Sequence, residues 1–197
     1  MMETALARAS LYNFLAAAFG DLPTPELMAT AKEVLPNVAP APLDEVCKAY
    51  TRLLIGPGAG YAPPYASVYL DPPLNGKPQL WGPAAIAVDS IYREADLEIA
   101  PGQPRVPDHL ALELQFMQHL CARQAEAQAR GKLEEAARWR ERQHTFLHDH
   151  LWPWLPRFAE RAAEAGTHPV YQLLVEFTVS FVQSEINLPE GVASSGG

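Results

Sequence analysis

Apolar residues recur every three or four positions along most of this 197-residue chain, and that spacing predicts amphipathic helices. The predicted helices cover about residues 3–19, 25–35, 43–55, 83–97, 108–130, 132–150, 157–165 and 169–184. Short β-branched alternation is scarce, so we predict an all-α fold: a single-domain helical bundle formed by residues 1–192. Residues 193–197 are predicted to form a flexible tail.

Two segments interrupt the helical pattern, at residues 56–83 and 99–107. The first contains the stretch GPGAGYAPPYASVYLD, residues 56–71, whose prolines and glycines are typical of turns and loops. Within it only Ser67–Leu70 has the composition of a short strand. A long ordered loop in a compact domain is usually functional, and aromatic residues beside prolines form rigid walls of peptide grooves. We therefore predict that residues 56–83 are ordered without regular structure and line a binding groove.

The composition is that of a globular protein, with 48% hydrophobic and 19% charged residues. The formal net charge of −8 argues against nucleic acid as a partner, because phosphate binding requires a basic surface. The same charge is compatible with a cationic peptide. No apolar run is long enough to span a bilayer, and the apolar residues of Leu11–Phe19 favour one buried helix face over a signal peptide. We therefore expect a cytoplasmic protein without stable membrane insertion.

The residues that could carry catalysis or bind a metal lack the spacing that these functions need. The glycine run Gly56–Gly60 lacks the Lys-Ser/Thr pair of a phosphate-binding loop. His144 and His148 share a helix face, but neither a third ligand nor an HExxH motif accompanies them. No serine or cysteine lies in a nucleophile motif, and Cys47 and Cys121 share no metal or disulfide spacing. We therefore predict no catalytic residue, no metal and no cofactor.

Two stretches in the middle of the chain carry distinctive motifs. The first is YTRLLIGPGAGYAPPYASVYLD, Tyr50–Asp71, and the second is PDHLALELQFM, Pro107–Met117. Together they resemble the two signatures of the TorD/DmsD family of redox-enzyme maturation chaperones, in the same order. The resemblance covers about residues 43–120. Tyr65 stands where several members of the family have tryptophan, and Leu80–Ala85 lacks the Gly-Asp-Ser/Thr of the best-known members.

The resemblance implies a non-catalytic cytoplasmic chaperone that binds the twin-arginine signal peptide, or the apo form, of a molybdopterin-containing oxidoreductase. It would assist cofactor insertion before export, as a monomer or a domain-swapped homodimer. A twin-arginine peptide presents guanidinium groups and then an apolar stretch, so its site needs carboxylates beside an apolar groove. The expected carboxylates are Asp71, Asp108 and Glu113. The full set of expected peptide-binding residues is Tyr50, Leu54, Pro63, Pro64, Tyr65, Ser67, Tyr69, Asp71, Trp81, Asp108, His109, Glu113 and Phe116.

Other interpretations remain open on the sequence alone. A NarJ-like assembly factor would bind a non-exported molybdoenzyme subunit, such as that of a nitrate reductase. A nucleotide-binding or metal-dependent enzyme would use Asp108, His109 and the glycine run, and some members of the family are thought to bind guanine nucleotides. Asp108 also stands where an N-cap or first-turn acid is favoured, and His109 could brace the loop instead of contacting a peptide.

Overall fold

The computed structural model describes residues 4–35, 37–102 and 104–188, so the tail predicted at residues 193–197 lies outside the described residues. The described part of the chain forms nine α-helices and no strand, which confirms the predicted all-α fold. The helices are α1 Ala5–Gly20, α2 Pro25–Val34, α3 Leu43–Tyr50, α4 Ala66–Leu70, α5 Pro83–Glu94, α6 Leu110–Ala129, α7 Leu133–Phe146, α8 Leu155–Glu164 and α9 Pro169–Ile186.

Local sequence explains where several helices begin. The hydroxyls of Thr4 and Thr24 each accept a hydrogen bond at 3.2 Å from a backbone N–H in the first turn of α1 and α2, respectively. Pro25 occupies the first position of α2, where a backbone N–H has no helical partner to lose. At their C-terminal ends, α3 and α7 each continue into a five-residue π-helical turn, Thr51–Ile55 and Leu147–Leu151.

Helix α6 packs against both α1 and α7 and supplies much of the core. Its side chains Leu114 and Met117 are fully buried, and so is Tyr12 of α1. Gly20 ends α1 at a point of close approach, because a Cβ placed on it would lie 3.3 Å from the Cβ of Ala111 in the first turn of α6. These contacts place the end of α1 beside the start of α6.

A buried polar network joins α1, α6, α7 and α9. The Nε and Nη2 atoms of Arg8 donate hydrogen bonds at 2.5 Å to Glu185 and Gln143, respectively. The Gln124 side-chain oxygen accepts from both Arg8 and Gln143. A second guanidinium group, that of Arg140, lies 3.7 Å from the Glu185 carboxylate. Because a buried charge without a partner is strongly unfavourable, this network restricts how the four helices can pack.

The structure contradicts the expectation of a short strand at Ser67–Leu70, because these residues belong to helix α4. Tyr65, just before the helix, is extended, and it pairs with His109 in an isolated antiparallel bridge. The Ser67 N–H, which has no partner within the helix, donates instead to the Asp108 carboxylate. The expectation that residues 56–83 lack regular structure was therefore wrong for these positions.

Candidate functional site

The loop that contains α4 is fastened to the start of α6 by three hydrogen bonds. The Leu110 N–H donates to the Pro64 carbonyl at 2.9 Å, and the Ala66 N–H donates to the Asp108 carbonyl at 3.0 Å. The Ser67 N–H donates to Oδ2 of the Asp108 side chain at 2.6 Å. The two sequence motifs, which are about forty residues apart, thus form one structural unit.

Asp108 supports the loop and does not cap α6, in contrast to the capping role that its position in the sequence favours. The N-cap is His109, whose Nδ1 accepts a hydrogen bond at 3.1 Å from the Ala111 N–H. The Asp108 side chain is completely buried, and its Oδ1 has no hydrogen-bond partner in the described residues. Burial raises the pKa of this carboxyl, and the hydrogen bond from Ser67 opposes the rise.

Glu113, one turn into α6, is also completely buried. Its Oε2 accepts a hydrogen bond at 3.1 Å from the Trp154 indole, and Tyr69 of the loop stacks on that indole with a centroid distance of 5.7 Å. Burial, reinforced by the charge of Asp108, raises the pKa of Glu113 well above its usual range. In this conformation both carboxylates are buried, and their hydrogen bonds go to Ser67 of the loop and to Trp154, on which Tyr69 of the loop stacks.

Asp71 completes the start of α5. Its two carboxylate oxygens accept from the Ala84 N–H at 3.2 and 3.3 Å, which replaces the side-chain cap that Gly82 cannot supply. The fit leaves no room at Gly82, where a Cβ would lie 2.0 Å from Oδ2 of Asp71. The preceding residue, Trp81, has a φ of 61° and is 54% exposed.

We expect the Asp71→Ala variant to lower the free energy of unfolding by about 1 kcal/mol, because the first turn of α5 loses its only side-chain cap. Urea denaturation followed by circular dichroism measures this difference. Glu98→Ala is the matched control, since it removes an exposed carboxylate and should change stability by less than about 0.5 kcal/mol. Equal stability of the two variants would contradict the capping role.

Three tyrosines of the motif region, the partly accessible Tyr61 and Tyr65 and the buried Tyr50, form what we call the tyrosine surface. Tyr65 packs edge-on against the ring of His109 at 5.0 Å. Burial raises the pKa of Tyr61, and the phenol of Tyr65 adds to the rise. Burial raises the pKa of Tyr50 to about 12, with further contributions from Asp21 and from Tyr65.

Asp21 was missed in the sequence analysis. It follows the end of α1, and nothing in its sequence context connects it with tyrosines that come about thirty to forty-five residues later. A pattern of helix faces cannot indicate this proximity, which depends on how α1 packs against α6.

The other residues expected to bind a peptide differ in accessibility. Pro63, Tyr65, Tyr69 and Asp71 are partly accessible, and Trp81 is exposed. The buried members of the set are Tyr50, Leu54, Pro64, Ser67, Asp108, His109, Glu113 and Phe116. The accessible part of the expected site is therefore aromatic and proline-rich, while most of its carboxylates lie below the surface.

A separate cleft of about 200 Å³ opens between the end of α5, the segment that follows it, and α6. Apolar side chains that include Leu97, Ile99 and Phe116 line it, together with Glu98 and His119. The sequence pattern did not predict this cleft, although Phe116 is one of the expected peptide-binding residues. It lies on the side of α6 where Phe116 contacts Tyr92, whereas the tyrosine surface lies at the start of that helix.

Among residues 4–35, 37–102 and 104–188, no group of three histidine, cysteine or acidic side chains is placed to hold a metal ion. His144 and His148 stack with a centroid distance of 6.3 Å, and His148 contacts the Asp149 carboxylate at 2.8 Å. None of the helices in the described ranges is long and apolar enough to cross a membrane.

Comparison with known proteins gives a consistent result. Residues 20–160 match a family model described as the nitrate reductase delta subunit. A chaperone protein TorD from a Psychrobacter species is 32% identical over 190 residues, which cover 93% of this chain and 81% of that protein. A TorD from Shewanella pealeana is 32% identical over 127 residues, which cover 63% of this chain and only 51%, about half, of that relative. A Tat proofreading chaperone DmsD from Salmonella typhi is 30% identical over 148 residues, 74% of this chain and 64% of its own length.

The match to the family model covers more than half of the chain, and the Psychrobacter relative aligns with nearly all of it. Both sequence motifs lie within the matched residues, and the structure joins them through the hydrogen bonds between the loop and the start of α6. The chain therefore belongs to the TorD/DmsD family.

Proposed function

We propose that this protein is a cytoplasmic, system-specific chaperone for a molybdopterin-containing oxidoreductase. It binds the twin-arginine signal peptide or the apo form of that enzyme and assists cofactor insertion before export. The names of the relatives support the chaperone role, and one of them is named a Tat proofreading chaperone. The proposal rests chiefly on one observation. Hydrogen bonds hold the loop that contains α4 against the start of α6, and the ring of Tyr65 in that loop remains partly accessible.

The chemistry of this surface suits the apolar part of a signal peptide. The ring of Tyr65, partly accessible and packed against His109, and the exposed indole of Trp81 offer apolar area. Because hydrogen bonds and buried aromatic contacts hold the loop, a peptide need not order it on binding. The net charge of −8 favours the approach of a peptide that carries two arginines.

A second candidate is an assembly factor for a molybdoenzyme subunit that is not exported. The description of the matching family model as the nitrate reductase delta subunit favours it. The two candidates differ in the client: the first serves an exported enzyme whose precursor carries a twin-arginine signal peptide, whereas the second serves a subunit that lacks one. An enzyme based on Asp108 and His109 has less support, because both side chains are buried and burial lowers the pKa of His109 to about 4.

We expect the protein to bind a synthetic twin-arginine signal peptide, and Tyr65→Ala to weaken that binding by about 2 kcal/mol, or about 30-fold in Kd. The physical reason is the loss of an aromatic contact that Tyr65 offers at a fixed position beside His109. Isothermal titration calorimetry measures the change, and thermal unfolding checks that the variant remains folded.

Leu133→Ala is the matched control for this experiment. Leu133 is a 73% exposed apolar residue that follows the opposite end of α6, which spans about 30 Å. Its removal should leave the affinity unchanged. Equal losses in the two variants would contradict a site at the loop, and no binding of the peptide to the wild-type protein would favour the second candidate.

A further inference from the structure

We propose that Asp21 binds the guanidinium group of an arginine in the client peptide, at the edge of the tyrosine surface. This inference rests on the proposed function and deepens it by naming the carboxylate that distinguishes arginine from lysine. It also replaces the buried carboxylates that the sequence had suggested for this role.

The packing of α1 against α6 carries Asp21 to the start of α6. Gly20, the residue before it, approaches Ala111 so closely that a Cβ on the glycine would lie 3.3 Å from the alanine Cβ. The Tyr171 hydroxyl fixes the same end of α1 by donating to the Ala18 carbonyl at 3.2 Å. The position of Asp21 therefore follows from contacts on two sides of the helix end.

Ring contacts extend this arrangement to the tyrosine surface. Tyr171 packs against Tyr50 with a centroid distance of 6.1 Å, and Tyr65 packs against His109, the N-cap of α6, at 5.0 Å. Burial is the main reason that the pKa of Tyr50 is raised to about 12, but the negative charge of Asp21 is the next contribution. Tyr171 contacts both the Ala18 carbonyl and the Tyr50 ring, so it joins the end of α1, where Asp21 lies, to the tyrosine surface.

Unlike the other carboxylates of this region, Asp21 is accessible to a ligand. Asp108 and Glu113 are completely buried, and Asp71 is occupied by the N–H of Ala84. Asp21 is exposed, and its Oδ1 accepts one hydrogen bond at 2.7 Å, from the Leu22 N–H. Among the described residues no lysine, arginine or histidine forms an ion pair with Asp21, so no basic side chain there competes for its carboxylate.

A carboxylate beside tyrosine rings matches the chemistry of arginine better than that of lysine. The planar guanidinium can donate a hydrogen bond to the carboxylate and stack on an aromatic face at the same time, whereas an ammonium group lacks the planar geometry. Leu22, 49% exposed, lies next to Asp21 and offers apolar area to the residues that follow the arginines. The surface therefore combines the two features that a twin-arginine peptide requires.

The test is calorimetric titration of wild type and Asp21→Asn with two synthetic peptides, each with a basic pair before an apolar stretch. One peptide carries two arginines and the other carries two lysines. We expect Asp21→Asn to bind the arginine peptide about 10- to 100-fold more weakly than wild type, because a charge-assisted hydrogen bond is lost. The affinity for the lysine peptide should fall by a smaller factor, so the ratio of the two affinities decreases in the variant. Asparagine can still accept from the Leu22 N–H, and an unchanged Tm would show that folding is preserved.

Glu98→Gln is the matched control, because it removes the same charge at the separate cleft beside α6. It should leave both affinities and the arginine preference unchanged. If Asp21→Asn bound the arginine peptide as tightly as wild type, or if Glu98→Gln instead abolished the preference, the assignment to Asp21 would be overturned while the proposed function stood. If wild type bound neither peptide, the assignment to Asp21 and the signal-peptide role in the proposed function would be overturned together.

Discussion

We expect the Glu185→Ala variant to lose about 3–5 kcal/mol of unfolding free energy, enough to threaten folding altogether. Glu185 is the buried carboxylate that neutralises Arg8, and both side chains are almost completely inaccessible. Truncating the glutamate leaves the guanidinium charge in the core with only neutral glutamine oxygens as acceptors. Urea denaturation monitored by circular dichroism measures the loss.

Two controls separate a buried charge from a general effect of mutation. Asp44→Ala removes one partner of an exposed pair, Asp44–Lys48, and should change stability by no more than about 1 kcal/mol. The double variant Arg8→Met with Glu185→Leu replaces both charges by apolar groups and should be more stable than Glu185→Ala alone. A double variant less stable than the single one would show that the loss reflects packing and not an unpaired charge.

The second large effect is a pH dependence of stability that comes from Glu113. Its folded-state pKa is raised, chiefly by burial, so the folded protein binds a proton more tightly at this site than the unfolded chain does. The resulting stabilisation is fully present below the unfolded pKa of about 4.3 and is lost as the pH rises through the folded pKa. Each unit of elevation corresponds to about 1.4 kcal/mol.

Glu113→Gln removes this titration, while the amide oxygen can still accept from the Trp154 indole. We therefore expect the unfolding free energy of wild type to fall relative to that of the variant as the pH rises above about 4.3, the unfolded pKa. Denaturant titrations across that range measure the difference. Glu160→Gln changes an exposed position of α8, and its unfolding free energy should depend on pH in the same way as that of wild type. Parallel curves for Glu113→Gln would show instead that this carboxyl ionises as easily in the folded protein as in the unfolded chain.

Helical periodicity predicted the longer helices to within a few residues, because each buries an apolar face that is visible in the sequence. The ends of α1, at Gly20, and of α9, at Ile186, lie close to the predicted ends. Helix α4 could not be predicted in this way. Its N–H at Ser67 is satisfied by the side chain of a residue 41 positions away, and local propensity carries no information about such a partner.

The candidate site was likewise predictable only where it depends on local sequence, and not where it depends on tertiary packing. The motifs identified the residues that meet, such as Tyr65 and His109, since these belong to contiguous stretches. They did not indicate which carboxylates are accessible, because burial depends on what packs above them. Asp108 and Glu113 lie under the loop, while Asp21 reaches the surface only through the contact between α1 and α6.

The pairing of Arg8 with Glu185 has a consequence for biosynthesis. The two residues are 177 positions apart, so at ribosomal rates of about 5–20 residues per second, α1 emerges roughly 9–35 s before its ionic partner. During that interval the apolar face of α1 and the Arg8 charge both lack their final neighbours. A nascent chain of this protein therefore depends on α9 to complete the surroundings of α1, and a ribosome stalled before α9 would hold a chain in which Arg8 still lacks its ionic partner.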